Sequence, residues 1–129
     1  MAFAVRPPPN RIIMKLAIKA TQITLTDAIR AYVEQKVASL DNKVKRFGPS
    51  VSADCEVGLT SKHHKKGPIF RAELHVRLPG MLVYAEHEDL NLYNAISETK
   101  REVERQIADY KGVLAEKLRA AKKSKGGRA

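Results

Sequence analysis

The stretch "SVSADCEVGLTSKHHKKGPIFRAELHVRLPGMLVYAE", residues 50–86, alternates apolar and polar side chains in three successive runs. In the first, Val51, Ala53, Cys55, Val57 and Leu59 fall on one side of an extended chain and their polar neighbours on the other. The second puts Phe70, Ala72, Leu74, Val76 and Leu78 inward, while Arg71, Glu73, His75 and Arg77 point the opposite way. Pro79-Gly80 then turns the chain into "MLVYAE", a further strand. A period of two over so many residues predicts strands with one buried face and one polar face. "SKHHKKGP", residues 61–68, reads as the loop between the first two of these strands.

Working outward, the period changes. "KLAIKA", residues 15–20, alternates and predicts a short strand with Leu16 and Ile18 on one face. From Thr26, a good N-cap, Ile29, Val33, Val37 and Leu40 recur at helical spacing, which predicts a helix ending before Gly48-Pro49. A second helix starts near Asp89 or Asn91 and runs past Tyr110, with Gly112 a soft spot. The order is β-α-β-β-β-α. Each strand has one apolar face and each helix one apolar stripe, so both helices on one face of a four-stranded sheet close a single core, an α+β fold. The first two strands, joined through a helix, pair in parallel; short turns make the later pairs antiparallel.

A chain of 129 residues fits one domain, and 43% apolar residues are enough for a modest core. There is no apolar run of about 18 residues to span a bilayer. The formal net charge of +10 favours polyanionic partners. One cysteine, Cys55, excludes an intrachain disulfide and suits a reducing compartment. The charge is uneven: residues 1–13 carry +2, residues 111–129 carry seven bases against Glu116, and the remainder carries only +2. Residues 1–13, with three consecutive prolines, read as a disordered leader, and Met14 directly after it is a candidate initiator. Residues 14–111 form the folded domain. Residues 112–129 read as the end of the last helix followed by a disordered basic tail.

On the second helix, Tyr93, Ile96, Val103, Ile107, Tyr110 and Leu114 form the apolar band, and Arg101 and Arg105 lie one turn apart on the far side. Lys100 falls within the band, its stem packing while the ammonium reaches out, and Lys111 edges it. On the first helix Tyr32, Lys36 and Lys43 share a flank, with Arg30 on the other. Basic points at helical spacing suit backbone phosphates better than base edges. The interspersed Glu98, Glu102 and Glu104 equally suit a merely solvated helix back. His63 and His64 lack partners at metal-ligand spacing, so no metal is expected, and "KHHKK" reads as a phosphate-facing loop. Cys55 sits at an inward strand position, as a core residue does. No glycine-rich phosphate loop or nucleophile elbow occurs, and nothing assembles a triad; neither an enzyme nor a cofactor is expected.

"MKLAIKATQITLTDAIRAYVEQKVASLDNKVKRF" (14–47) and "AEHEDLNLYNAI" with Glu104-Arg105-Gln106-Ile107 (85–107) resemble the ribosome hibernation-promoting factors, also called ribosome-associated inhibitors or sigma-factor modulation proteins. The specific pieces are Thr26 with Ala28-Ile29-Arg30, the His87-Glu88-Asp89 run, and Tyr93 to Ile96. The resemblance implies a domain similar to double-stranded-RNA-binding domains. It also implies a bacterial cytoplasmic protein that lodges in the decoding region of the small ribosomal subunit, blocks mRNA and tRNA, and idles the 70S ribosome under stress or in stationary phase. Carried over by position, Arg30, Lys36, Lys43, Lys100, Arg101, Arg105 and Lys111 would touch rRNA. Structured RNA is met through phosphates, 2′-hydroxyls and shape. Off the ribosome a monomer is expected, with no membrane and no small-molecule substrate as partner.

The sequence also departs from the family pattern. Two residues are extra between Asp89 and Tyr93, which shifts or loops the start of the last helix, and Glu102 stands where a lysine is common. The carboxy-terminal dimerisation domain of the long form is missing, so a short-type factor is expected, and the charge of the basic tail suggests an rRNA groove or the mRNA exit path as its place. Two other readings stay open: a general double-stranded-RNA-binding protein or RNA chaperone, and a protein-interaction module using the exposed sheet face.

Overall fold

The computed structural model describes residues 14–64 and 67–126, with side chains for 14–60 and 67–122. The expected leader, 1–13, lies outside the described residues, as do Lys65, Lys66 and 127–129. The described elements are β1 (Lys15–Thr21), α1 (Asp27–Val44) with a 3-10 turn at Lys45–Phe47, β2 (Ser52–His64), β3 (Gly67–Leu78), β4 (Met81–Asp89) and α2 (Leu92–Gly126). The sheet order is β1-β2-β3-β4, with β1 parallel to β2 and the other pairs antiparallel. This is the α+β arrangement the alternation predicts.

Local chemistry sets the element ends. Thr26 caps α1, its hydroxyl accepting from the Ile29 N–H at 3.2 Å, and Asp27 sits in the first turn against the positive helix end. Gly48, at φ +89°, ends the 3-10 turn. Leu78 pairs with Met81 across Pro79-Gly80, and Gly80 takes the φ of +79° that such a tight turn needs. The extra residues before α2 resolve into a bend. The Asn91 N–H donates to Asp89 Oδ1 at 2.8 Å, and Asn91 Oδ1 accepts from the Tyr93 N–H at 2.9 Å, so Asn91 is the cap and the helix starts at Leu92.

Both helices cover one sheet face. Val33, Val37, Leu40 and Val44 from α1 and Ile96, Val103 and Ile107 from α2 meet Ala53, Cys55, Val57, Ala72, Leu74, Val76, Val83 and Ala85 of the sheet, all buried. Each large apolar side chain removed from water there contributes roughly 1.5–3 kcal/mol. Thr99 is buried where α2 approaches β3, its hydroxyl within reach of the Ala95 carbonyl at 2.7 Å and the Ala72 carbonyl at 3.2 Å. At the β4 edge, Gln106 acts as a surrogate strand. Its amide nitrogen donates to the Tyr84 carbonyl at 2.8 Å and its oxygen faces the Tyr84 N–H at 3.4 Å, which blunts an edge otherwise open to strand addition.

One expectation is corrected. "SKHHKKGP" is mostly ladder, because β2 and β3 continue past a register shift between Leu59 and His63 to pair His63 with Pro68 and His64 with Gly67. That end of the hairpin runs beyond the apolar alternation, so no period-two pattern in the sequence announces it. The carboxy-terminal segment, read as the end of the last helix followed by a basic tail, is helical as far as Gly126. Ala, Leu, Glu, Lys and Arg dominate it, and these strong helix formers carry the helix through Gly112, whose cost is about 1 kcal/mol.

Candidate nucleic-acid interface

The flank shared by Tyr32, Lys36 and Lys43 faces α2 and lines the groove between the helices. The Tyr32 hydroxyl meets Ser97 Oγ at 2.5 Å, its ring stands edge-on to Tyr93 with centroids 4.8 Å apart, and the Lys36 ammonium lies 5.2 Å from the same ring. Further along, Lys43 and Lys100 reach one carboxylate, Glu104, at 3.4 and 3.1 Å. Burial works against the charge of Glu104, and hydrogen bonds and attraction from Lys100 and Lys43 outweigh it, holding its carboxyl below the usual range. Lys100 is mostly covered, as a snorkelling lysine within the apolar band should be. Arg30 is exposed on the other flank of α1.

On the outward face of α2 the arginines are already paired. Arg101 pairs with Glu98 at 2.9 Å. Arg105 holds Glu102, its Nε donating to Oε1 at 3.1 Å, and also Asp109 at 3.1 Å. The Arg105 hydrogen bond is the main cause holding the Glu102 carboxyl below its ordinary range. Residues 92–110 carry three bases against four acids, so this stretch of helix is slightly negative as a whole. The pairs are solvent-exposed and weak, and a phosphate could replace either carboxylate on its arginine, but the neighbouring glutamates would repel it.

Positive charge gathers instead where the end of α1 meets the middle of α2. The Phe47 and Tyr110 rings stack with centroids 5.9 Å apart, and the Tyr110 hydroxyl donates to the Pro79 carbonyl at 3.1 Å, fixing α2 against the 3-10 turn and the β3–β4 hairpin. That docking brings Lys111 close to Arg46 and Lys43. Burial, then the charges of Arg46 and Lys43, push the Lys111 ammonium below its ordinary pKa. Like charges converging on a half-buried ammonium are the electrostatic condition for attracting an anion. Lys43 and Lys111 are candidates named from the sequence, whereas Arg46 is not, its position in the basic run "KVKRF" being its one signal.

The opposite sheet face has another character. Glu56, Glu73 and Glu86 stand directly opposite one another across β2, β3 and β4. Such a row is tolerable only because it is neutralised: Arg71 bridges Glu73 and Glu86, His75 Nε2 meets Glu73 at 2.8 Å, and the Thr21 hydroxyl donates to Glu56 at 2.6 Å. Arg77 is paired with Asp54. This face is not basic as a whole, its bases standing beside carboxylates. Among the described residues, no helix is long and apolar enough to cross a membrane.

Residues 16–115 match the family model described as "Sigma 54 modulation protein / S30EA ribosomal protein". Among curated relatives, the chain is 34% identical over 110 residues to the ribosome hibernation promotion factor of Lactococcus lactis subsp. cremoris, covering 84% of this chain and 55% of that one. It is 32% identical over 98 residues to the ribosome hibernation promoting factor of Azotobacter vinelandii, covering 76% and 83%. The chain thus spans about half the length of the Lactococcus relative, and similarly 53% of the Bacillus subtilis one. Among solved structures, the crystal structure of the Thermus thermophilus Protein Y N-terminal domain superposes with a TM-score of 0.59 at 35% identity, over 77% of this chain and 97% of that one.

Proposed function

The chain belongs to the sigma 54 modulation protein / S30EA ribosomal protein family, and on that premise we propose that it is a non-enzymatic, ribosome-binding translation inhibitor of the bacterial cytoplasm. In this reading it enters the decoding region of the small ribosomal subunit through its helical face, excludes mRNA and tRNA, and holds the ribosome idle. The relatives' own names, ribosome hibernation promotion factor, support the process. The observation that carries the surface is the approach of Lys43, Arg46 and Lys111 at the α1–α2 junction, where Lys43 shares Glu104 with Lys100 and the charges acting on Lys111 are those of Arg46 and Lys43. Lys36 extends it along α1, Arg30 adds an exposed charge on the other flank of that helix, and Lys100, Arg101 and Arg105 follow along α2, each with a carboxylate already in place.

Cosedimentation with purified small subunits across a salt series, followed by a translation assay, tests this. Wild type binds and stops translation. Lys43→Glu with Lys111→Glu abolishes most of the binding, and Arg101→Glu with Arg105→Glu reduces it less because those arginines are already paired. Equal affinity for naked duplex RNA and for intact subunits would replace this reading by that of a general double-stranded-RNA binder.

A further inference from the structure

Beyond the Phe47–Tyr110 stack, Leu114 and Ala115 are the last half-buried residues of α2. The helix continues from there to Gly126, roughly 16 Å at 1.5 Å per residue. Described side chains from Glu116 to Lys122 are all exposed, Leu118 to 58%. Residues 111–126 carry six bases against Glu116 alone, where residues 92–110 are net negative. At 100° per residue, Lys111, Arg119 and Lys122 fall within a band of about 80°. Their ridge therefore begins at the Lys43–Arg46–Lys111 convergence and runs off the body along one side of the helix.

The geometry points to this extension as a second anion-binding surface, a rigid basic ridge of Lys111, Arg119 and Lys122 that lies along the sugar-phosphate backbone of structured RNA. It rests on the RNA-binding reading above and adds residues to it outside the body of the domain. Charge complementarity selects the occupant. A second copy of the helix would bring the same sign of charge against it. A bilayer needs a broad apolar face opposite the basic one, rich in large side chains. Here the exposed large apolar residues, Val113 and Leu118, lie about 140° apart around the axis and form no such face. A polyanion in water needs only the ridge, and a stiff helix presents it without the ordering cost of a disordered tail.

The test is the salt dependence of binding for wild type, Arg119→Glu with Lys122→Glu, and the charge-keeping pair Arg119→Lys with Lys122→Arg. Each is measured on purified small subunits and on a naked RNA duplex, with circular dichroism and thermal unfolding to verify the fold. Losing two phosphate contacts lowers the slope of log K against log salt by about 2. The wild-type advantage over the reversed pair then shrinks roughly tenfold between about 50 and 200 mM salt, while the charge-keeping pair follows wild type. Unchanged slopes on both probes overturn the inference, all the more if phosphatidylserine vesicles are bound and the reversal abolishes that binding. A slope that falls on the duplex, with no binding of wild type to subunits, upholds the ridge and sinks the ribosomal reading instead.

Discussion

Gly58→Ala tests whether the parallel pairing of β1 on β2 is set by backbone proximity. Thr21 is paired with Gly58, and a Cβ at that glycine would stand 2.3 Å from the Thr21 carbonyl oxygen and 3.2 Å from its carbonyl carbon. Ordinary contact begins at 3.4 Å, so the two strands must part by about 1.1 Å. The obstacle is backbone, which cannot swing aside. Thr21 is further pinned by its hydrogen bond to Glu56, and the chain leaves β1 through Gln22 at φ 61°. Forced overpacking costs about 1–3 kcal/mol, and a ladder bond stretched by an ångström adds about 0.5–1.5 kcal/mol. The stiffer unfolded chain returns about 0.4–1 kcal/mol. The net destabilisation is about 2 kcal/mol, or a fall in Tm of roughly 8 °C for a domain of this size. Urea unfolding gives the free energy and differential scanning calorimetry the Tm. A variant within about 0.5 kcal/mol of wild type, the ordinary range of a surface change, would refute the close-approach argument.

The same substitution at Gly112 should act in the opposite direction. Nothing lies within 4 Å of a Cβ built there, so Gly112→Ala should favour the helix locally by about 1 kcal/mol, raising the helical circular-dichroism signal and slowing amide exchange in residues 113–122. Cys55 gives a pH prediction. Burial, then Glu73 and Glu56, push its thiol from 9.0 up to about 12. Below pH 9 both states hold the proton and nothing changes; above it the unfolded chain ionises first, so stability falls with rising pH by about 1.4 kcal/mol per unit until about pH 12. Cys55→Ala should flatten that dependence in urea titrations at successive pH values, and native Cys55 should resist thiol-alkylating reagents near neutral pH until the protein is unfolded.

The fold was largely legible because each of its pieces has a period. The alternation in residues 50–60 and 69–78 and the helical recurrence of Val33, Val37 and Leu40 or Val103 and Ile107 follow from one buried face per element, and all of these core positions except Leu59 and Phe70, which stay half-buried, are inside. Legibility failed where the apolar period stops. His63 and His64 pair in the ladder past a register shift, and from Glu116 to Lys122 the helix is exposed and rests on propensity.

The linear chain by itself determined the strand and helix order, the inward side chains, the capping of α1 by Thr26 and the excess of positive charge, since these depend on neighbours a few residues away. Only tertiary structure decided where that charge acts. Whether a lysine or arginine is quenched depends on which acid stands beside it after folding: Glu104 takes both Lys43 and Lys100, whereas Lys111 meets Arg46 and Lys43. Coulomb energy falls with distance in space, and distance along the chain does not reveal it.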